Sequence, residues 1–367
     1  MTTKNLEEIE LLLDDYNNNH SDAILLISTH LSKKKNLAAE AIIYDDNFFA
    51  IKSTDGNSSF ILKTKFNLKD VSIEDLKKYL FKLIYQARRK LKDRFPKTKI
   101  ELDVEKSSTS KSFFSKVKGT KTISKNIKEI TFIGEFRDLK VNGTDDFMLV
   151  IVPHKDGSFK MKRGYSITDF RKQNIKGIKE TVGAYYTIRY LSDNELKIWF
   201  VLHDHPANLG DWAKEVKIND EVILWGPRSL FNPPKNIKKL ILFSDESGLP
   251  AMQSISEGFN ENISCEAFYE ILDQSCQIPC NNRANLKENW VYRNEEKPGE
   301  SIQLLKALKE LTLPKKDFYI FGAGEAFQMM EIRNYFKNRG VSKNQINVSG
   351  YWKKNKVSRN FKSPSGY

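Results

Sequence analysis

The run Tyr185-Tyr186-Thr187-Ile188-Arg189-Tyr190 carries side chains able to hold a flavin. On a β-like run an aromatic ring covers the isoalloxazine face, the following hydroxyl reaches its redox nitrogen, and a nearby arginine answers the pyrophosphate. A Tyr-Thr pair alone occurs in many strands, so its meaning depends on what else the chain supplies. Phe200-Val201-Leu202-His203 places an imidazole at the end of an apolar run, to face a ligand or to sit satisfied in a core. Pro206-Ala207-Asn208 lies where a loop enters a helix that also carries Trp212. Backbone N–H groups and the helix dipole can receive a phosphate there, although an ordinary helix start reads the same. Ser244-Asp245-Glu246-Ser247-Gly248-Leu249 follows a β run and opens a helix, the geometry at which open α/β sheets bind ligands. It is not G-x-G-x-x-G, and its acidic pair repels a 2′-phosphate. Phe321-Gly322-Ala323-Gly324-Glu325-Ala326 is a second such junction, where glycines permit a close ligand or a tight turn.

The elements that must position these residues change character along the chain. Residues 1–105 read as a small α+β domain. Acidic helix Leu6–Tyr16 and a second helix after His20 precede strands Ala38–Ile51 and Ser58–Thr64, with Asp55-Gly56-Asn57 as the turn. Ser72-Ile73-Glu74-Asp75 caps a closing helix with Leu76, Leu80, Leu83, Ile84, Ala87 and Leu91 on one face. Residues 106–122, polar, small and basic, read as a linker. From 123 to 235 short strands at Glu129–Gly134, Phe147–Val152, Tyr185–Tyr190, Glu195–His203 and Glu221–Trp225 predict an antiparallel β-barrel, interrupted by a helix near Ala207–Val216. From 236 to 352 strands and helices alternate, which predicts an α/β domain with a parallel sheet. Residues 353–367 read as a basic tail.

Composition sets outer limits. The 367 residues are 40% hydrophobic and 29% charged, ordinary for a soluble protein of several domains. No apolar run is long enough for a membrane span, and the N-terminus lacks a signal-peptide core, so a cytoplasmic protein is expected. The net charge of +13 comes from 60 basic and 47 acidic side chains. Five basic and no acidic residues lie in 106–121, and another five in 353–367, so ten of the thirteen excess charges fall in the expected linker and tail. That placement argues against nucleic-acid binding, which wants basic residues on one folded face. Cys265, Cys276 and Cys280 form no disulfide framework and read as free thiols.

Seven motifs then occur in register: Tyr186-Thr187-x-Arg189, Phe200–His203, Pro206-Ala207 with Trp212-Ala213, Gly226-Pro227-Arg228, Asp245-Glu246-x-x-Leu249-Pro250-Ala251, Gly324-Glu325-Ala326 and Gly350-Tyr351-Trp352-Lys353. Over about residues 117–354 the chain resembles the siderophore-interacting proteins, flavin-dependent ferric-siderophore reductases of the ferredoxin-reductase-like fold. The resemblance implies an FAD-binding barrel, an NAD(P)H-binding α/β domain taking NADPH or NADH, and a ferric siderophore or other anionic ferric chelate as substrate. It implies cofactor contacts at Tyr186, Thr187, Arg189, His203, Pro206, Ala207, Asn208, Trp212, Arg228, Asp245, Glu246, Gly324, Glu325 and Trp352. Lys353 and Arg228 would form a basic mouth for the chelate. No side chain is required as acid or base, because the flavin carries the redox step. The family places an arginine two residues before the tyrosine, on the FAD phosphates; this chain has Ala184, and Arg189 is the candidate to compensate.

A second resemblance covers about residues 12–92. Asn18-Asn19-His20-Ser21-Asp22-Ala23, with the strand pair and closing helix, is similar to the C-terminal domain of split-barrel haem-utilisation proteins. It implies haem as a further ligand, with His20 a candidate iron ligand and the reductase half as electron donor. A helix cap with a surface histidine is the alternative. A ferredoxin as electron partner is also left open.

Overall fold

The computed structural model describes residues 3–45, 48–68, 71–155, 160–175, 180–202, 208–280 and 285–354. The chain divides into two units, one ending at Ser108 and the other beginning at Thr109.

In the first unit, helices α1 (Thr3–Asn19), α2 (Ser21–Ser32) and α3 (Ile73–Leu91) share a core with an antiparallel sheet ordered β1 (Ala38–Ile43), β2 (Phe48–Thr54), β3 (Ser59–Asn67). Helix α3 forms as expected. The Ser72 hydroxyl accepts from Asp75 N at 3.2 Å, and Leu76, Leu80, Leu83, Ile84 and Ala87 are buried. The single strand expected over Ala38–Ile51 is instead the hairpin β1–β2. Asp45 turns the chain by accepting from Phe48 N at 3.0 Å. Helix α4 (Lys99–Thr109) then follows, fastened by the Arg88–Glu101 ion pair at 2.7 Å.

The stretch 106–122, expected as a linker, ends α4 and then forms most of β4 (Lys111–Ser124). Phe113, Ser115 and Val117 are buried while Lys116 and Lys118 face out, the period of a strand with one covered side. The lysines meet acids: Lys111 with Asp138 at 2.9 Å, Lys116 with Glu221 at 3.2 Å, and Lys118 with Glu195. A serine-lysine composition disguises this strand because only every second residue is apolar.

Strand β4 joins β5 (Ile127–Ile133), β6 (Phe147–Pro153), β7 (Thr181–Leu191), β8 (Glu195–Val201) and β9 (Glu221–Arg228) in a closed barrel ordered β4-β5-β8-β7-β6-β9. Its interior holds Val117, Ile130, Phe132, Val150, Ile198 and Leu224. Helix α5 (Ile167–Ile175) precedes β7, and α6 (Asn208–Glu215) precedes β9.

The remaining chain forms a parallel sheet ordered β12-β11-β10-β13-β14, from β10 (Lys239–Ser244), β11 (Ser264–Ile271), β12 (Leu286–Tyr292), β13 (Phe318–Glu325) and β14 (Ile346–Trp352). Helix α7 (Leu249–Gly258) packs in one core, and α8 (Gln303–Lys309) and α9 (Ala326–Asn338) in another. The strand order reverses between β10 and β13, so their carboxyl ends frame the crevice of an open α/β sheet. Strand β14 carries the Gly350-Tyr351-Trp352 motif, and the fold continues through Lys353 and Lys354, which were expected in the tail. The remaining tail residues lie outside those described. No helix among the described residues is long and apolar enough to cross a membrane.

Candidate flavin and nucleotide site

Alternation along β7 sorts the opening run onto two faces. Ala184 and Ile188 point into the barrel cluster, and the partly buried Tyr186 packs against it. The Tyr186 ring lies 4.2 Å from that of Phe200, and Trp212 on α6 meets Phe200 from 5.9 Å. Burial pushes the Tyr186 phenol well up, so it stays neutral. Tyr185 packs in a separate cluster with Phe147 and Trp225. Thr187 pairs with Phe147, which pairs in turn with Arg228. Thr187 and Arg228 therefore stand two strands apart in one row, about 10 Å from each other at ordinary strand spacing. The Arg228 guanidinium lies 5.9 Å from the Tyr185 ring.

The Arg189 expectation is corrected. Its guanidinium lies over Trp199 at 4.5 Å, donates from Nη1 to Ser254 Oγ at 2.7 Å, and donates from Nη2 to Glu257 Oε1 at 2.8 Å. It leaves β7 on the face opposite Ala184 and is committed to α7. His203, Pro206 and Ala207 lie outside the described residues, as does the Asn208 side chain, although Asn208 opens α6.

At the carboxyl ends of β10 and β13 the predicted residues converge. Asp245 Oδ1 accepts from Ser247 N at 2.8 Å, Ser247 Oγ at 2.5 Å and Gly248 N at 3.3 Å; its Oδ2 accepts from Trp352 Nε1 at 2.6 Å. Glu246 meets Arg293 at 2.5 Å and accepts from Asn126 Nδ2 at 3.2 Å. Burial raises the Glu246 pKa, Arg293 opposes this, and Asp245 adds to it. The acidic pair is thus held internally and does not stand as an open anionic wall. Gly324 backs onto Asp245, where a Cβ would come within 3.0 Å of its carboxylate. Glu325 caps α9, accepting from Phe327 N at 2.7 Å and Gln328 N at 3.0 Å, with its other oxygen taking Lys354 N at 3.0 Å.

The basic mouth expected from Lys353 and Arg228 is also corrected. Lys353 is only 6% exposed, with its ammonium 4.6 Å from the Phe327 ring, and Arg228 is 9% exposed. Sequence reasoning missed Arg293, Asn126, Ser254 and Glu257, since an isolated polar residue after a strand or inside a helix carries no local signal. It also missed Glu270 at the end of β11, whose carboxyl burial holds up to about 7.

Two buried hydroxyls test whether cofactors fit. Thr187 Oγ1 and Ser244 Oγ are buried and meet no hydrogen-bond partner among the described residues. An unanswered buried hydroxyl costs about 1–3 kcal/mol, and each of the two keeps its hydrogen-bonding capacity for a further group. Thr187 suits a ring nitrogen beside the barrel, and Ser244 suits a nucleotide at the switch point. The residues present fit both groups.

His20 stands apart in the first unit. It is 7% exposed, its ring lies 5.9 Å from that of Tyr16, and its Nδ1 finds no partner among the described residues. Burial lowers its pKa while Asp15, Asp22 and Asp103 pull upward and Lys99 pushes down. It makes no side-chain cap on α2 and is not a surface histidine, which corrects the alternative reading.

A closed antiparallel barrel followed by a five-stranded parallel sheet with helices is the ferredoxin-reductase-like fold. Residues 116–231 match the siderophore-interacting FAD-binding domain and residues 237–355 match the siderophore-interacting protein domain. The chain belongs to the siderophore-interacting protein family. A ferric acinetobactin reductase of Acinetobacter baumannii is 24% identical over 176 residues, covering 46% of this chain and 60% of that protein. An uncharacterized Mycobacterium tuberculosis protein is 27% identical over 166 residues, covering 42% of this chain and 59% of its own length. These matches thus span about three fifths of the curated relatives. The crystal structure of a siderophore utilization protein from T. fusca is similar in fold, with a TM-score of 0.60 at 24% identity, covering 69% of this chain and 97% of that one.

Proposed function

We propose that this protein reduces a ferric siderophore or a related anionic ferric chelate, using FAD and NADPH or NADH, and so releases Fe(II). The buried, unanswered Thr187 hydroxyl beside Tyr186, inside a segment that matches the family's FAD-binding domain, carries this reading. When bound, FAD converts the two-electron donation of a nicotinamide into the one-electron steps that Fe(III) accepts. Hard oxygen donors hold Fe(III) strongly and Fe(II) loosely, so reduction loosens the chelate.

The chain's own residues bind and orient. Thr187 offers a hydroxyl at the flavin edge, and Tyr186, backed by Phe200, offers an aromatic wall. Ser244 and the Asp245–Trp352 bond shape the crevice for the nucleotide. The arginine-free position at Ala184 removes a charge-assisted phosphate contact of about 1.5–3 kcal/mol, so FAD binds more weakly than in relatives that keep the arginine. The haem reading rests on His20, which is buried beside Tyr16 with its Nδ1 unanswered among the described residues.

The test is the visible spectrum of protein equilibrated with FAD, then with NADPH or NADH under anaerobic conditions, then with a ferric chelate and an Fe(II)-trapping dye. Flavin binding, bleaching and Fe(II) release are expected in that order. Failure of saturating FAD to bind would overturn the reading.

A further inference from the structure

We propose that Arg189 is a positioning residue that latches helix α7 of the parallel domain onto strand β7 of the barrel, fixing the two cofactor half-sites in register. Its kinetic consequence rests on the function proposed above, whereas the latch itself stands on geometry. Arg189 is two residues from Thr187 on one strand. Its guanidinium bridges to Ser254 and Glu257 on α7, at 2.7 and 2.8 Å, and lies over Trp199. Trp199 is itself held, donating from Nε1 to Glu129 Oε2 at 3.0 Å. Ser254 Oγ donates onward to Ile188 O at 3.2 Å, so the same helix position also grips the β7 backbone. Glu257 Oε1 further lies 3.8 Å from Cys280 Sγ.

A second contact on the same face closes the seam. A Cβ on Gly258 would stand 1.5 Å from the Gly143 carbonyl oxygen, so α7 approaches the β5–β6 turn as closely as a backbone can. Residues 254, 257 and 258 follow the spacing that puts side chains on one side of a helix. That helix begins immediately after Asp245-Glu246-Ser247-Gly248, the turn at the nucleotide crevice. Rotation of α7 therefore moves the crevice relative to Thr187. Arginine suits this task because its planar fork can donate to two partners while its face stacks on an indole, which lysine cannot do.

The test uses Glu257→Gln beside Arg189→Met, so that an unstable Arg189 variant does not leave the idea undecided. In cofactor-free protein, hydrogen exchange over residues 249–258 should quicken about tenfold in Glu257→Gln, where one bond loses its charge, and by more than that in Arg189→Met, which loses both bonds and the indole contact, while β10 and β5 keep their protection. Unchanged exchange in both variants would overturn the latch. With FAD and saturating nucleotide, Glu257→Gln should lower the limiting rate of flavin reduction about tenfold while leaving the Kd for FAD unchanged, because a mispositioned half-site costs rate rather than binding. A loosened helix with an unaltered limiting rate would overturn the positioning role. If the unmodified protein is reduced by neither nucleotide, the proposed function fails, and the exchange measurement alone decides the latch.

Discussion

Trp352 donates its indole N–H to Asp245 Oδ2 at 2.6 Å, tying the last strand of the parallel sheet to the turn after β10, 107 residues earlier. The bond joins two sequence motifs across the switch point. Trp352→Phe keeps the ring and deletes the donor. We expect a loss of about 1.5–3 kcal/mol in urea unfolding, since the acceptor is charged and buried. Asp245 keeps its bonds to Ser247 and Gly248, so the turn itself should persist.

Thr187→Val separates stability from binding. Valine fills the same space without an unanswered hydroxyl, so the cofactor-free protein should gain about 1–3 kcal/mol by thermal or urea unfolding. Flavin binding should weaken by roughly threefold to tenfold, the worth of one hydrogen bond. A variant that is no more stable than the parent would mean the hydroxyl is already answered.

Glu270 makes stability depend on pH. Its carboxyl has an ordinary value of 4.5 and is held up to about 7, first by burial, with Asp245 adding and Ser301, Gln328 and Leu304 opposing. Between these values the folded protein keeps a proton that the unfolded chain has lost. Its contribution is therefore undiminished below about pH 4.5, falls as pH rises toward 7, and levels off above, at a total of about 3 kcal/mol. Glu270→Gln should flatten that segment of a urea-midpoint profile, and an unaltered slope would rule the group out.

Arg293 and Glu246 form an ion pair with both side chains 5% exposed. Arg293→Met leaves a buried carboxylate without its counter-charge, answered by Asn126 and its own backbone N–H, and should cost about 3–5 kcal/mol in denaturant unfolding. Adding Glu246→Gln should recover much of that loss, because the desolvated charge is then gone. A double variant as unstable as the single one would show that packing, not charge, is at stake.

Much of the architecture was legible from local pattern. The strands at 147–152, 185–190 and 221–225, the α3 cap at Ser72, and the strand–helix alternation after 236 all formed as their periodicity predicts. Strand β4 was hidden by its serines and lysines, and the β1–β2 turn by a single aspartate inside an apolar run. The site was legible by residue type more than by role. Tyr186, Thr187, Asp245, Gly324 and Trp352 were named, and the last three do meet in space. Arg189 and Lys353 took roles that charge alone did not indicate, because an arginine or lysine reads the same whether it waits for a phosphate or packs on an aromatic ring.

The sequence by itself determined which segments form strands and helices, and that a Tyr-Thr pair lies on a barrel strand. Those properties follow from hydrophobic period and turn chemistry within a few residues. Only the tertiary structure decided that Arg189 is held by Ser254 and Glu257. Those partners lie 65 and 68 residues away, and such pairing depends on how the strand and helix pack rather than on anything either segment encodes locally.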